Sequence, residues 1–322
     1  MPVTQEQSAW FADAFQKLIS NVDKAIMGKD HVIRLVLTAL ISDGHVLLED
    51  FPGLAKTLMA RSFAQVCSMD FSRIQFTPDL LPSDVTGVQI YDQGKGKFEF
   101  HPGPIFASIV LADEINRASP KTQSALLEVM EEGIVTIDGE GHPVGAPFMV
   151  IATQNPVEQA GTYKLPEAQL DRFLIKTSLG YPDTKTAVAL LMDVTTRARA
   201  SLVSPIIKPD SIVVMAALAS EVFVDESVMQ YLSDIVDATR THRDVALGVS
   251  MRGAMALARA IKTWAIAQGR TYATPDDVRD LAVPVLAHRV IIDPESEFAG
   301  VKAEDIITRI LVDIAPPSYR AA

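Results

Sequence analysis

The sequence predicts an α/β architecture, a five-stranded parallel sheet clad in helices and followed by an all-helical region. Three observations carry that prediction. The apolar run Val46-Leu47-Leu48 leads through a tight Pro-Gly turn into the helix-periodic run Leu58 to Val66, and a second strand-like stretch, Phe71 to Phe76, follows. Strand, helix and strand in that order imply parallel pairing. The apolar run Ile109 to Ala112 ends abruptly in Asp113 and Glu114, as a buried parallel strand does where it emerges at the carboxyl edge of its sheet. Beyond residue 184 no convincing strand pattern remains, only helical periodicity.

Taken in order, residues 4–24 read as an amphipathic helix with Phe11, Phe15, Leu18, Ile19 and Val22 on one stripe. Ile26-Met27-Gly28-Lys29 interrupts it before a second helix, Asp30 to Ile41, and the first strand spans 45–49. The second strand is followed by a hairpin at 88–100, with a glycine-rich tip at 92–97, and a further hairpin at 134–144 turns at Asp138-Gly139-Glu140-Gly141. Both are insertions into the α/β pattern. They suit surface decoration or, at one level of a sheet, the lining of a pore or partner face. The third strand runs to Asp113, the fourth from Phe148 to Ala152 before Thr153-Gln154-Asn155-Pro156, and the fifth from Phe173 to Thr177. Helical segments follow at 184–200, 210–221, 225–242, 251–268, 275–289 and 303–314, with a terminal Pro316-Pro317 tail. The boundary is expected between an α/β domain, 1–183, and a helical domain, 184–322.

Composition narrows the function. At 322 residues and 48% hydrophobic, the chain can bury a large core. No apolar run approaches the roughly 18 residues that span a bilayer, and the first residues lack a basic-then-apolar secretory pattern. The lone Cys67 has no internal disulfide partner, which suits a reducing cytoplasm. A net charge of -11 without a Lys or Arg cluster argues against nucleic acid, whose binding needs a basic stripe. The six histidines show no zinc spacing, and no nucleophile-elbow pattern occurs.

The chemistry concentrates where the first strand meets its helix. Pro52, Gly53, Leu54 and Ala55 form a loop before Lys56, Thr57 and Leu58, and loop and helix N–H groups can converge on a phosphate that the helix dipole also favours. Lys56 can reach the outer phosphates and Thr57 can hold Mg²⁺. The match to G-x-x-x-x-G-K-[ST] is imperfect, since Asp50 and Ala55 stand at its glycines; the bland alternative is a strand-turn-helix corner with Lys56 in solvent. Asp113 can hold Mg²⁺ and Glu114 can polarise a water for attack on the γ-phosphate. Alternatively, Asp113 caps the next helix and Glu114 is merely solvated. Arg252, at a helix start where a cation is unfavourable, suggests an anionic partner.

Four separated stretches, FPGLAKT, LADEINRA, ATQNPVEQAGTYKLPEAQLDRF and the helical tail with GVSMRGA, together resemble the MoxR family of AAA+ ATPases over residues 5–315. The resemblance implies a P-loop NTPase (AAA+) αβα domain with a helical lid. It also implies a ring, usually a hexamer, with Mg²⁺ and ATP between neighbours. Lys56 and Thr57 fall in Walker A, Asp113 and Glu114 in Walker B, and Asn155 at sensor 1. Arg172 resembles the arginine finger, Arg252 sensor 2, and Arg117 a second interface arginine. Ile26, Met27 and Gly28 match the place where relatives bury adenine. Two positions depart from the pattern: Asp50, a carboxylate near the phosphates, and Met251, where a proline usually precedes the sensor 2 arginine.

By that resemblance the expected function is an oligomeric, ATP-driven chaperone that remodels or matures protein complexes. Its expected partners are a von Willebrand factor A-domain protein and a client protein that the sequence does not identify. A nucleic-acid-dependent motor and a weakly hydrolysing nucleotide-binding scaffold are the alternatives.

Overall fold

Strand β1 (Val46–Glu49) lies inside a parallel sheet with β2 (Phe71–Gln75), β3 (Ile109–Asp113), β4 (Met149–Gln154) and β5 (Ile175–Thr177), in spatial order β2-β3-β4-β1-β5. This is a computed structural model, which describes residues 2–51, 53–156, 162–192 and 199–317. The register sets Leu48 against Thr153, Ala112 against Ala152 and Gln75 against Asp113. Period-two alternation splits the strands between two cores. Val46, Leu48, Ile109, Leu111, Met149 and Ile151 face one core, while Leu47, Val110, Ala112, Val150 and Ala152 face the other. Both faces are buried, so the strands read as continuous apolar runs rather than alternating ones.

The longer helices are α1 (Gln5–Asp23), α2 (Asp30–Ile41), α3 (Lys56–Val66), α4 (Pro120–Glu132), α5 (Thr184–Met192), α6 (Pro209–Ser220), α7 (Glu226–Thr241), α8 (Met251–Ala267), α9 (Pro275–Leu286) and α10 (Ala303–Asp313). Their starts follow from sequence. Thr4 and Gln7 close a capping box on α1, Ser250 accepts from Gly253 N–H on α8, and Thr274 pairs reciprocally with Asp277 on α9. Helix α4 begins with Ser119 accepting from Thr122 N–H and ends at Gly133, whose φ of 65° glycine adopts without the Cβ penalty. Its apolar stripe, Leu126, Leu127, Val129 and Met130, covers one sheet face. On the other face α1, α2 and α3 join α6 to α10 in one continuous core that includes Phe11, Phe15, Phe63, Leu257 and Leu281.

The expected α/β fold and five-strand parallel sheet are observed, and three local readings need correction. Beyond residue 184 the chain does contain strands: Val245–Leu247 pairs antiparallel with Ile291–Ile292 across a register irregularity. Pieces of two or three residues are too short to carry a periodic signal. The second hairpin turns on Asp138-Gly139 alone, because Glu140 and Gly141 already pair with Ile137 and Thr136. Both turn residues have positive φ, 50° and 85°, as a two-residue hairpin turn demands. The segment read as a helix at 184–200 is described as helix only to Met192; 193–198 lie outside the described residues. The two hairpins, 87–102 and 134–143, touch through Phe100 stacked on His142 at 4.1 Å.

Candidate functional site

At the carboxyl edge, β1, β3 and β4 end side by side, so the loop after Glu49 and the acidic pair after Ala112 emerge on the same edge with β4 between them. This follows from parallel pairing: strands that run the same way end the same way. The loop is bent by positive φ at Gly53 (85°) and Ala55 (57°). Helix α3 starts directly after Ala55, with Lys56 and Thr57 in its first turn. Lys56 Nζ donates to the carbonyls of Asp50 at 2.8 Å and Phe51 at 3.3 Å, folding over its own loop rather than extending into solvent. Leu58 packs against the core beneath, and Gly53, Leu54 and Ala55 remain accessible. Pro52 lies outside the described residues.

Asp50 is buried and points away from that loop. Its carboxylate accepts from Leu179 N–H at 2.6 Å and Gly180 N–H at 2.9 Å, tying β1 to the segment after β5. That segment leads to Tyr181, which stacks on Phe51 at 6.4 Å and whose carbonyl accepts from Lys29 Nζ at 2.9 Å. Gly28 has a φ of 72°, and a Cβ there would lie 2.9 Å from Thr186 Oγ1. Buried Ile26, half-buried Met27 and exposed Gly28 thereby lie beside 181–186, next to the loop.

Asp113 is buried and does not cap a helix; that work falls to Ser119. Its Oδ1 accepts from Thr153 Oγ1 at 2.6 Å and its Oδ2 from Arg73 at 2.7 Å. Glu114 has a left-handed backbone (φ 56°), which costs a non-glycine residue roughly 1–2 kcal/mol. Thr153 Oγ1 stabilises it by accepting Glu114 N–H at 2.8 Å. The Glu114 carboxylate accepts from Gln75 at 3.0 Å and from Arg117 at 2.9 Å. Asn155 follows β4 on the same edge. Arg73, Gln75 and Thr153 are site residues that sequence reasoning missed. Gln75 and Thr153 are polar residues at or next to strand ends, Gln75 set opposite Asp113 by the register, whereas Arg73 stands in mid-strand and reaches Asp113 only by its long side chain.

The two remaining predicted residues lie at the opposite edge. Arg172 precedes β5 and so sits where the strands begin. Its Nε donates to Glu131 at 2.9 Å and its Nη1 to the Ala168 carbonyl at 3.2 Å. Arg252, in the first turn of α8, donates to the other oxygen of the same Glu131 carboxylate. The anion that Arg252 suggested is thus found within the chain. Partial burial raises the Glu131 pKa, but Arg252 and Arg172 outweigh it and hold the carboxyl below its ordinary value. Beneath lies His45, buried at the start of β1. Its Nδ1 accepts Val150 N–H at 3.0 Å, which leaves Nε2–H to donate to the Met130 carbonyl at 2.8 Å. Burial pushes its pKa down, consistent with that neutral form. A cavity of about 360 Å³ opens here, lined by Glu131, Arg172, Arg252, Arg259 and Arg289 among others.

Among the described residues, no group of three or more His, Cys, Asp or Glu could hold a metal alone, and no helix is long and apolar enough to cross a membrane. Thr57 and Asp113 offer this edge one hydroxyl and one carboxylate, oxygen donors of the kind Mg²⁺ takes alongside substrate phosphates and water, and the Asp113 carboxylate is here engaged by Thr153 and Arg73.

A sequence model of the ATPase family associated with various cellular activities (AAA) matches residues 45–175, and one of the AAA lid domain matches 237–310. YeaC of Bacillus subtilis, itself uncharacterized, is 47% identical over 95% of this chain and 96% of its own length. Chaperone MoxR1 of Mycobacterium tuberculosis is 40% identical over 95% of this chain and 83% of its own. A crystal structure of a candidate ATPase from Cytophaga hutchinsonii superposes with a TM-score of 0.90 at 39% identity, covering 97% of this chain and 98% of that one. A parallel sheet with a phosphate-type loop and a helical lid, together with relatives at this identity over nearly the whole length, show that the chain belongs to the MoxR family of AAA+ ATPases.

Proposed function

We propose that this protein is a Mg²⁺-dependent ATP hydrolase that works as a ring, with a hexamer as the expected size, to remodel or mature protein complexes. The α/β unit, 1–183, binds nucleotide and the helical unit, 184–322, closes on it. The observation that carries the reading is the division of charged groups between two sheet edges. At the carboxyl edge stand Lys56, Thr57, Asp113, Glu114 and Asn155; at the opposite edge Arg172 and Arg252 share Glu131. One subunit cannot bring both sets to one triphosphate, but two neighbours in a ring can.

In this reading the 53–57 turn binds the phosphates through backbone N–H groups and Lys56. Thr57 and Asp113 would hold Mg²⁺, which when bound would neutralise charge on the phosphate oxygens. Glu114 takes a proton from the attacking water, and Asn155 orients that water. Ile26, Met27 and Gly28 bound the adenine site. Arg172 and Arg252 serve the neighbour's nucleotide, where an arginine supplied in trans is worth about 10³–10⁵ in rate. Asp50 is no obstacle, since its carboxylate is engaged elsewhere. The chaperone role rests on MoxR1, named a chaperone. A von Willebrand factor A-domain protein is the proposed partner, a client protein the substrate, and the cytoplasm the setting.

Lys56→Ala is expected to abolish binding of a fluorescent ATP analogue. Glu114→Gln is expected to bind it normally and stop phosphate release. Equal hydrolysis by wild type and Glu114→Gln would remove Glu114 from the mechanism.

A further inference from the structure

We infer that Arg289 and Asp171 form a latch through which the helical region sets the reach of Arg172, making Arg289 a positioning residue for the neighbouring subunit's phosphoryl transfer. The inference rests on the proposed trans role of Arg172.

Arg289 ends the turn after α9, and its side chain is only 3% exposed. Every arm of the guanidinium is engaged. Nε donates to the Val285 carbonyl at 2.8 Å, fixing the side chain against its own helix. Nη1 donates to the Asp171 carbonyl at 3.0 Å and also to the Asp171 carboxylate. Nη2 donates to the Phe173 carbonyl at 2.7 Å, and His288 Nε2 bonds the same oxygen at 2.9 Å. The carbonyls on either side of Arg172 are therefore both held by this one turn of the helical region, so its Cα moves only if that turn moves.

The same latch reaches Arg252. Asp171 Oδ2 accepts from Ser250 Oγ at 3.3 Å, and Ser250 caps the helix whose first turn carries Arg252. A Cβ on Gly253 would stand 2.9 Å from Arg289 Cδ, so the Arg289 stem lies directly on that first turn. Both arginine backbones are thus referenced to one buried guanidinium, and Glu131 gathers both heads. The guanidinium holds its donors in a fixed planar fork, whereas a lysine's donors rotate on a flexible stem and could not hold the same four acceptor contacts in place. Buried ion pairs add little stability over apolar packing, which leaves geometry as what this one supplies.

The test uses the full chain carrying Arg289→Lys, with the isosteric Asp171→Asn alongside in case the buried site disturbs folding. Binding of a fluorescent ATP analogue with Mg²⁺ should stay within about twofold of wild type, because that pocket lies on the other edge. The kcat at ring-forming concentration should fall about 10–100-fold with KM unchanged, the scale of a misplaced catalytic group. Arg289→Lys mixed with Glu114→Gln should regain hydrolysis, because each supplies the side of the interface that the other lacks. Mixed with Arg172→Ala, which lacks the same side, it should not. Wild-type kcat in both variants overturns the latch. So does a failure to regain with Glu114→Gln while Arg172→Ala regains with it. Should Arg172→Ala also fail to regain, the trans reading itself falls, a result distinguishable from failure of the latch alone.

Discussion

Asp50 shows how a residue's role is decided by its partners rather than by its place in a motif. It stands where the phosphate-loop pattern has glycine, yet its carboxylate closes the buried N–H of Leu179 and the partly buried N–H of Gly180. Asp50→Gly, which restores the pattern, is therefore expected to harm the protein. Leaving those donors unpaired should lower stability by about 1–3 kcal/mol, measured as a lower urea midpoint at unchanged slope. Ala55 is the reverse case, since its φ of 57° is a conformation that glycine adopts freely. Ala55→Gly should leave stability level or raise it by up to about 1 kcal/mol, the left-handed penalty being offset in part by greater freedom when unfolded. Sequence alone exposed both departures, because the pattern is local. It could not give the direction of Asp50, because the acceptor's partners lie 129 and 130 positions away.

At the scale of elements, the two histidines at the amino edge act as joints. His45 ties β1 and β4 to the end of α4, and His288 ties the turn after α9 to the start of β5. His45 is buried and His288 partly so; desolvation lowers each pKa, that of His288 to about 3. The folded state therefore disfavours the extra proton, whereas the unfolded chain takes it up near pH 6.5. Below that pH the unfolded state binds more protons, so stability falls as pH falls, down to about 3, where His288 charges in the folded state too. Urea unfolding from pH 7.5 to 5 should show this decline, with His288→Gln flattening it by up to about 1.4 kcal/mol per pH unit. Long elements with a strong period, such as α1 and the five sheet strands, were readable from the chain. The role of Glu131 on α4 was not, because that carboxylate looks ordinary until Arg172 and Arg252 arrive from distant segments.

For the molecule as a whole, the division between sheet edges sets a kinetic expectation. Parallel strands put the Lys56 loop and the Asp113-Glu114 pair at one edge, and put Arg172, ahead of β5, at the other. Sequence marked both groups as candidates for one chemistry, and only the register assigned them to opposite ends. On the proposed assignment, a lone subunit binds nucleotide but lacks the arginines at its own phosphates. Hydrolysis per subunit should therefore rise with protein concentration and level off where rings are complete, while binding of a fluorescent ATP analogue stays independent of concentration. Arg172→Ala mixed with Glu114→Gln should recover activity that neither has alone, since some interfaces then pair an intact Glu114 with an intact Arg172. A specific activity flat from nanomolar to micromolar protein, with sedimentation showing monomer throughout, would mean that one chain completes the site alone. The placement of Arg172 and Arg252 on Glu131 would then have no part in hydrolysis.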